Sequence, residues 1–360
     1  MGGLVALLIV AVLVMGLREL LSRPRTPPVG PALASPEPAS AIKQPIQGLV
    51  DNSEIPPSSH WPAVQAFVIS AHWADLQPEP WGPIVEGNAI DQGLRQAREL
   101  NAAHPGLDLK IKLRVYAGIW APEWAKRLGG EPIPAADPQG GESGTVGRFW
   151  TEPFGRAYDD LQAKLAARYD EAPEIREVVI SRCTTVYAEP FIRNVADVET
   201  VSGLLQAGYT AQADRRCQFE QVDAHEVWKR TRSALAFNPY QIVSPRTLTG
   251  LSQTDDRFTG EIMRYCRSTL GARCVLENNS IQWPVKQGYI GMYARMKELG
   301  PPIAFQTDTR AKVGDLRRAL EWAVDQGANS VELFRRYEEY PVSLLTIFDR
   351  ALKANAVMSR

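Results

Sequence analysis

What this sequence lacks narrows it quickly. Its 40 basic and 41 acidic residues nearly cancel, so no net field draws it to nucleic acid or to an acidic membrane surface. It has only four histidines, and neither among themselves nor with the four cysteines do they fall into a metal-ligand spacing. No metal and no cofactor is therefore expected, and nucleic acid is not an expected partner. A P-loop is absent, as is the G-x-S-x-G turn that presents a nucleophilic serine. No glycine-rich phosphate turn follows the first apolar strand, which argues against an open dinucleotide-binding sheet. The N-terminus offers "MGG" and no Lys or Arg ahead of its apolar run, where a cleaved signal would carry basic residues.

That run, "LVALLIVAVLVMGL" (4–17), is uncharged and followed by Arg18, Arg23 and Arg25. A bilayer span takes about 17–25 residues, so the run sits at the short limit and reads as a signal-anchor over residues 1–21. It would be the only membrane contact. Three arginines behind it would keep the domain cytoplasmic by the positive-inside rule. Cys183, Cys217, Cys266 and Cys274 argue the other way: their number is even, and Cys266 and Cys274 flank a helix-to-strand turn, "CRSTLGARC", where a short bridge can close. Three pairings are open to four cysteines. The balance favours a membrane-anchored domain outside the cytoplasm. Residues 22–45 are rich in Pro, Ala and Ser, with almost no large apolar side chains, and form a linker; the folded domain is expected over 46–360.

Within that domain, short apolar strands alternate with helices of amphipathic period, which indicates α/β structure with a parallel sheet. Strands are expected at 48–52, 66–70, 109–118, 177–181 and in "YQIVSP" (240–245), the last preceded by a helix around "AHEVWKRTRSALAF". Three later units repeat helix, glycine, strand, with Gly271, Gly300 and Gly327 at the helix ends. The clearest helix is "TEPFGRAYDDLQAKLAARYD", whose Phe154, Tyr158, Leu161, Leu165 and Tyr169 form one stripe. Eight strand–helix units over this length predict a single (β/α)8 TIM barrel with long βα-loop excursions.

The working face of such a barrel is the carboxyl end of its strands. Residues just past the expected strands are Trp73 and Asp75, Arg114 and Tyr116, Arg182 and Glu189, Arg246, Glu277 to Asn279, Gln306 and Asp308, and Glu332 with Arg335, with Trp120 and Tyr187 in the adjoining loops. A rim of carboxylates, amides, arginines and indoles suits a polyhydroxylated ligand. Plainer readings accompany each. Trp73 and Trp120 equally suit core packing, Arg114 and Arg182 structural ion pairs, Asp75 and Asp308 helix caps, and Glu277 solvent. Glu189, in "VYAEPF", could open a helix.

"ISAHWADLQPEPWGPI", "LKIKLRVYAGIWAPEWAKRLGG" and "YAEP" together resemble the barrel glycoside hydrolases of clan A, the β-galactosidase and cellulase-like families, over residues 46 to 350 in architecture. "YAEP" resembles their Asn-Glu-Pro after strand four, which implies that Glu189 is the acid/base. Ala188 stands where those enzymes carry Asn. Their nucleophile belongs at the end of strand seven, where this chain has "AFQTDT"; Gln306 cannot serve, Asp308 is displaced, and Glu332 in "SVELFRR" is the nearest glutamate on a neighbouring strand. The resemblance implies a glycosidase acting on an oligo- or polysaccharide through Glu189 and Glu332, with Trp73, Arg114, Tyr116, Trp120, Arg182, Tyr187, Asn279, Gln306, Asp308 and Arg335 as substrate contacts. Paired carboxylates suit the reaction because one must donate a proton and the other must stay ionised. The alternatives are a carbohydrate-binding barrel without turnover, favoured by "AFQTDT", and a lyase or isomerase using Glu189 as base.

Overall fold

A computed structural model describes residues 42–358, with side chains through 356. Eight parallel strands close into a barrel: β1 (Gly48–Asp51), β2 (Val64–His72), β3 (Lys110–Tyr116), β4 (Ile175–Val179), β5 (Arg232–Ala236), β6 (Cys274–Ile281), β7 (Ile303–Thr307) and β8 (Ser330–Leu333). Each strand pairs with its sequence neighbours, and β8 closes on β1 through Gly48 opposite Ser330. The outer ring contains α1 (Ala89–Ala103), α2 (Glu152–Tyr169), α3 (Val198–Gln206), α4 (Ala211–Asp223), α5 (Asp256–Leu270), α6 (Ile290–Leu299), α7 (Leu316–Asp325) and α8 (Val342–Met358). The (β/α)8 barrel expected from the helix–glycine–strand repeats is present. The first unit differs, because only the one-turn 3-10 segment Ser58–His60 links β1 to β2.

The fifth strand lies elsewhere than its expected position. "RSALA" forms it, all five residues buried, while Tyr240–Ile242 turns out to be one arm of a small antiparallel hairpin with Gln253–Asp255. The helical pattern read over 224–237 is realised only as the 3-10 turn Ala224–Val227. Alternation explains the outcome. Ala234 packs inside the barrel with Val275 and Ala304, whereas Leu235 and Phe237 face the helices. Arg246 consequently sits on an exposed 3-10 turn, away from the strand ends.

Two apolar layers between strands and helices form the core, one around β2 to β4 and one around β5 to β8. The barrel interior is filled differently. Ile46, Val50, Ala66 and Val68 form a small apolar plug, and charged side chains lie beyond it. Lys43 closes the base, its Nζ donating to the carbonyls of Ala172 and Ile175 and to Thr231 Oγ1 at 2.7 to 2.8 Å. Two disulfides, Cys183–Cys217 and Cys266–Cys274, take up all four cysteines, in keeping with an oxidising compartment. No helix among the described residues is long and apolar enough to cross a membrane. The expected anchor (1–21) and most of the linker lie outside the described residues.

Candidate active site

The barrel floor is built from charge. Alternate positions on β3 turn Lys112 and Arg114 inward, where three carboxylates from other strands meet them. Lys112 Nζ lies 2.5 Å from Glu277 Oε1, 2.7 Å from Glu332 Oε1 and 3.9 Å from Glu177 Oε2. Arg114 Nη2 donates to Glu332 Oε2 at 2.6 Å and to Gln306 Oε1 at 3.2 Å. Isolated charges at such depth are prohibitively costly, and these persist because they are paired. Burial acts to raise the pKa of Glu332, but Arg114 and Lys112 together outweigh it and hold it down to about 2. Burial raises Glu277 to about 7 despite Lys112, whose single charge is shared among three acids. Burial also raises Glu177. Glu332 exposes 2% of its side chain and both its oxygens face cations, so its carboxylate does not open onto the mouth as the sequence suggested.

Above this floor lies Glu189. The loop that carries it after β4 is firmly held. Cys183–Cys217 ties it to α4, Arg193 makes a two-pronged bond to Asp214 at 2.9 and 2.6 Å, and Gln218 Nε2 donates to Pro190 O at 3.0 Å. Asp214 accepts further bonds from Tyr209 and Tyr240 at 2.5 and 2.7 Å. The helix-start reading of Glu189 fails, because the next helix is α3, capped by Asp197 through Thr200 N at 2.9 Å. Glu189 is half-buried, and Asn238 Nδ2 donates to its Oε2 at 2.8 Å. Its charged neighbours come from three other segments: Arg114 on β3, Lys286 after β6 and Asp308 after β7. Burial is the largest influence and raises its pKa; the Asn238 bond, Arg114 and Lys286 work against that rise, and Asp308 adds to it.

Asp308 directly follows β7, keeps 12% of its side chain exposed and pairs with Lys286 Nζ at 3.0 Å. The sequence alternative of a helix cap does not apply, since Asp315 caps α7. Tyr116 and Trp120 stand half-exposed around His72, whose ring stacks on Trp120 at 4.0 Å and 6°. His72 also pairs with Asp75 at 3.2 Å. Asn279 lies near the end of β6, and its buried Oδ1 has no hydrogen-bond partner. Tyr187 is exposed on the long loop, donating to Asp137 Oδ2 at 2.9 Å.

Three expected contacts lie elsewhere. Trp73 is fully buried in the outer layer, against Trp124, Phe154 and Tyr158, with its Nε1 donating to Gln77. Arg182 is buried between α2 and α4, bonded to Phe149 O and Thr151 O and paired with Glu220 at 2.9 Å. Arg335 is exposed, beside Glu54 and Glu338 on a surface hollow.

No protein-family model matches the chain, and no curated protein matches its sequence. Solved structures do match. The catalytic domain of a β-amylase from Paenibacillus polymyxa aligns with a TM-score of 0.50 at 10% identity, over 88% of this chain and 100% of that one. This chain has its fold. An endoglucanase from Pseudomonas stutzeri aligns at 0.46 and 12% identity, over 85% of this chain and 97% of that one. A β-galactosidase from a psychrophilic Marinomonas aligns at 0.47 and 14% identity, over 87% of this chain and 60% of that one. At 10% identity the β-amylase match shows the fold alone, and the chemistry rests on the side chains.

Sequence reasoning missed Lys112, His72, Asn238 and Lys286. Only His72 carried a usable signal, since it follows the apolar run "AFVIS" by two residues and adjoins Trp73.

Proposed function

We propose that the protein is a glycoside hydrolase in which Glu189 is the acid and Asp308 the opposing carboxylate. The supporting observation is the setting of Glu189: a half-buried carboxyl, pushed towards its protonated form, at the barrel mouth with Arg114, Lys286 and Asp308 about it. Such a group holds a proton for the leaving oxygen as the glycosidic C–O bond breaks. Asp308, ion-paired to Lys286, supplies the negative charge needed to attack the anomeric carbon or to take a proton from water that does. Glu332, closed off by its cations, fixes Arg114 and is not the second reacting group. Trp120, Tyr116 and Tyr187 offer ring faces, and Asn279 and Gln306 offer amides, to an oligo- or polysaccharide. Tethering by residues 1–21 outside the cytoplasm belongs to the same proposal.

An acid is dispensable when the leaving group needs no proton. Glu189→Gln is therefore expected to lose about 10²–10⁴-fold on alkyl or sugar leaving groups and little on dinitrophenyl glycosides. Equal losses on both would remove Glu189 as the proton donor. The closed Glu332 favours a second reading, a sugar-binding barrel without turnover; wild-type protein that binds glycans and cleaves none would establish it.

A further inference from the structure

Three polar side chains, none exposed by more than a few per cent, lead from the helix layer to Glu189. Tyr293 on α6 donates from its hydroxyl to Asn278 Oδ1 at 2.9 Å. Asn278 Nδ2 donates to Asn238 Oδ1 at 3.2 Å, and Asn238 Nδ2 donates to Glu189 Oε2 at 2.8 Å. Asn278 lies on β6, and Asn238 just past β5.

The direction of the chain is fixed by backbone groups that have no choice. Ser280 N–H, which can only donate, points at one side of the Asn278 amide at 3.2 Å, so that side is oxygen. Phe237 O, which can only accept, lies 2.6 Å from the other side, so that side is NH2. Asn238 must then turn its oxygen to Asn278 and its NH2 to Glu189. Because Oε2 of Glu189 already faces an N–H, the carboxylic proton resides on Oε1.

We propose that Asn278 and Asn238 are positioning residues that grip Glu189 by Oε2 and leave Oε1 as the proton-donating oxygen, with Tyr293 anchoring the outer end. The inference deepens the hydrolase reading of Glu189 and rests on it for its catalytic meaning. Its geometry does not depend on that reading.

The chain can be tested without a substrate, by following the side-chain carboxyl carbon of Glu189 through a pH titration of ¹³C-glutamate-labelled protein. The resonance is identified by its absence in Glu189→Gln. Arg114, Lys286, Tyr289 and Asp308 also face this carboxyl and stay unchanged in every variant. Asn238→Leu removes a donor to the ionised form, so the midpoint is expected to rise, by about tenfold in the ionisation constant. Asn278→Ser makes no contact with Glu189 and is expected to move the midpoint the same way by less. Tyr293→Phe keeps the ring and the packing, covers the case in which Asn278→Ser fails to fold, and is expected to give the smallest rise. An unmoved or lowered midpoint in Asn238→Leu overturns the grip on Oε2. A rise in Asn238→Leu with none in Tyr293→Phe or in folded Asn278→Ser overturns the chain. Should the midpoints move as expected while no glycan is cleaved, the chain stands and the hydrolase reading falls.

Discussion

The floor of the barrel and its mouth use the same side-chain chemistry to opposite ends. On the floor, Lys112 and Arg114 bind Glu277 and Glu332 so closely that every group is at most a few per cent exposed. At the mouth, Glu189 and Asp308 are less enclosed: Asn238 engages Oε2 alone of Glu189, and Asp308 gives Oδ2 to Lys286 and Oδ1 to the Thr309 N–H. A carboxylate held on both oxygens by cations, as Glu332 is, is structural. One held on a single oxygen by a neutral amide can still give up a proton. Arg114 joins the two levels, bonding Glu332 below and acting on the charge of Glu189 above.

The comparison can be broken most forcefully from below. Lys112→Met would leave Glu277 without its ion-pair partner and Glu332 with Arg114 alone, and is expected to cost about 3–5 kcal/mol in denaturant unfolding. A loss under about 1 kcal/mol would mean that the floor is not a paired-charge core. From above, Glu189→Gln should leave the unfolding midpoint as high as wild type at neutral pH, or higher, because it removes the cost of a desolvated charge, while turnover falls by about 10²–10⁴-fold.

Acidity sharpens the contrast further. Burial raises Glu277 from its usual 4.5 to about 7, so its contribution to stability is complete below 4.5 and is lost as pH rises through about 7. Glu332 runs opposite: held down to about 2, it contributes above 4.5 and loses that contribution as pH falls through about 2. Glu277→Gln should therefore remove the decline in stability between pH 4.5 and 7 and leave the acid limb in place, as read from melting temperature against pH. The smallest effect separates two tryptophans. Trp120→Ala should weaken glycan binding about tenfold with little change in melting temperature, whereas Trp73→Ala should destabilise by about 3–5 kcal/mol.

These contrasts also show how far the sequence could be read. The barrel was legible because its last three units repeat helix, glycine and strand in plain order. Its fifth strand was not, because "KRTRSALAF" mixes charge and apolar residues at a spacing that suits a helix, and only the closed sheet decides that Ala234 faces inward. Glu189 was legible as a Glu-Pro after a buried strand. Lys112 was not, because "LKIKLRVY" reads as a strand with one solvated face; the acids that draw that face inside lie far along the chain, 165 residues away at Glu277 and farther still at Glu332. Trp73 and Arg182 misled because position after a strand fixes the end of the barrel but not the side. Both turn outward under the helices.

The central claim is that the mouth cleaves what it binds, through Glu189. A glycan array followed by reducing-end release from each bound glycan tests it most directly, with wild type and Glu189→Gln side by side. Release by wild type, together with retained binding and lost release in Glu189→Gln, is the expected result. Glycans bound by both proteins and released by neither, or released equally by both, would contradict it.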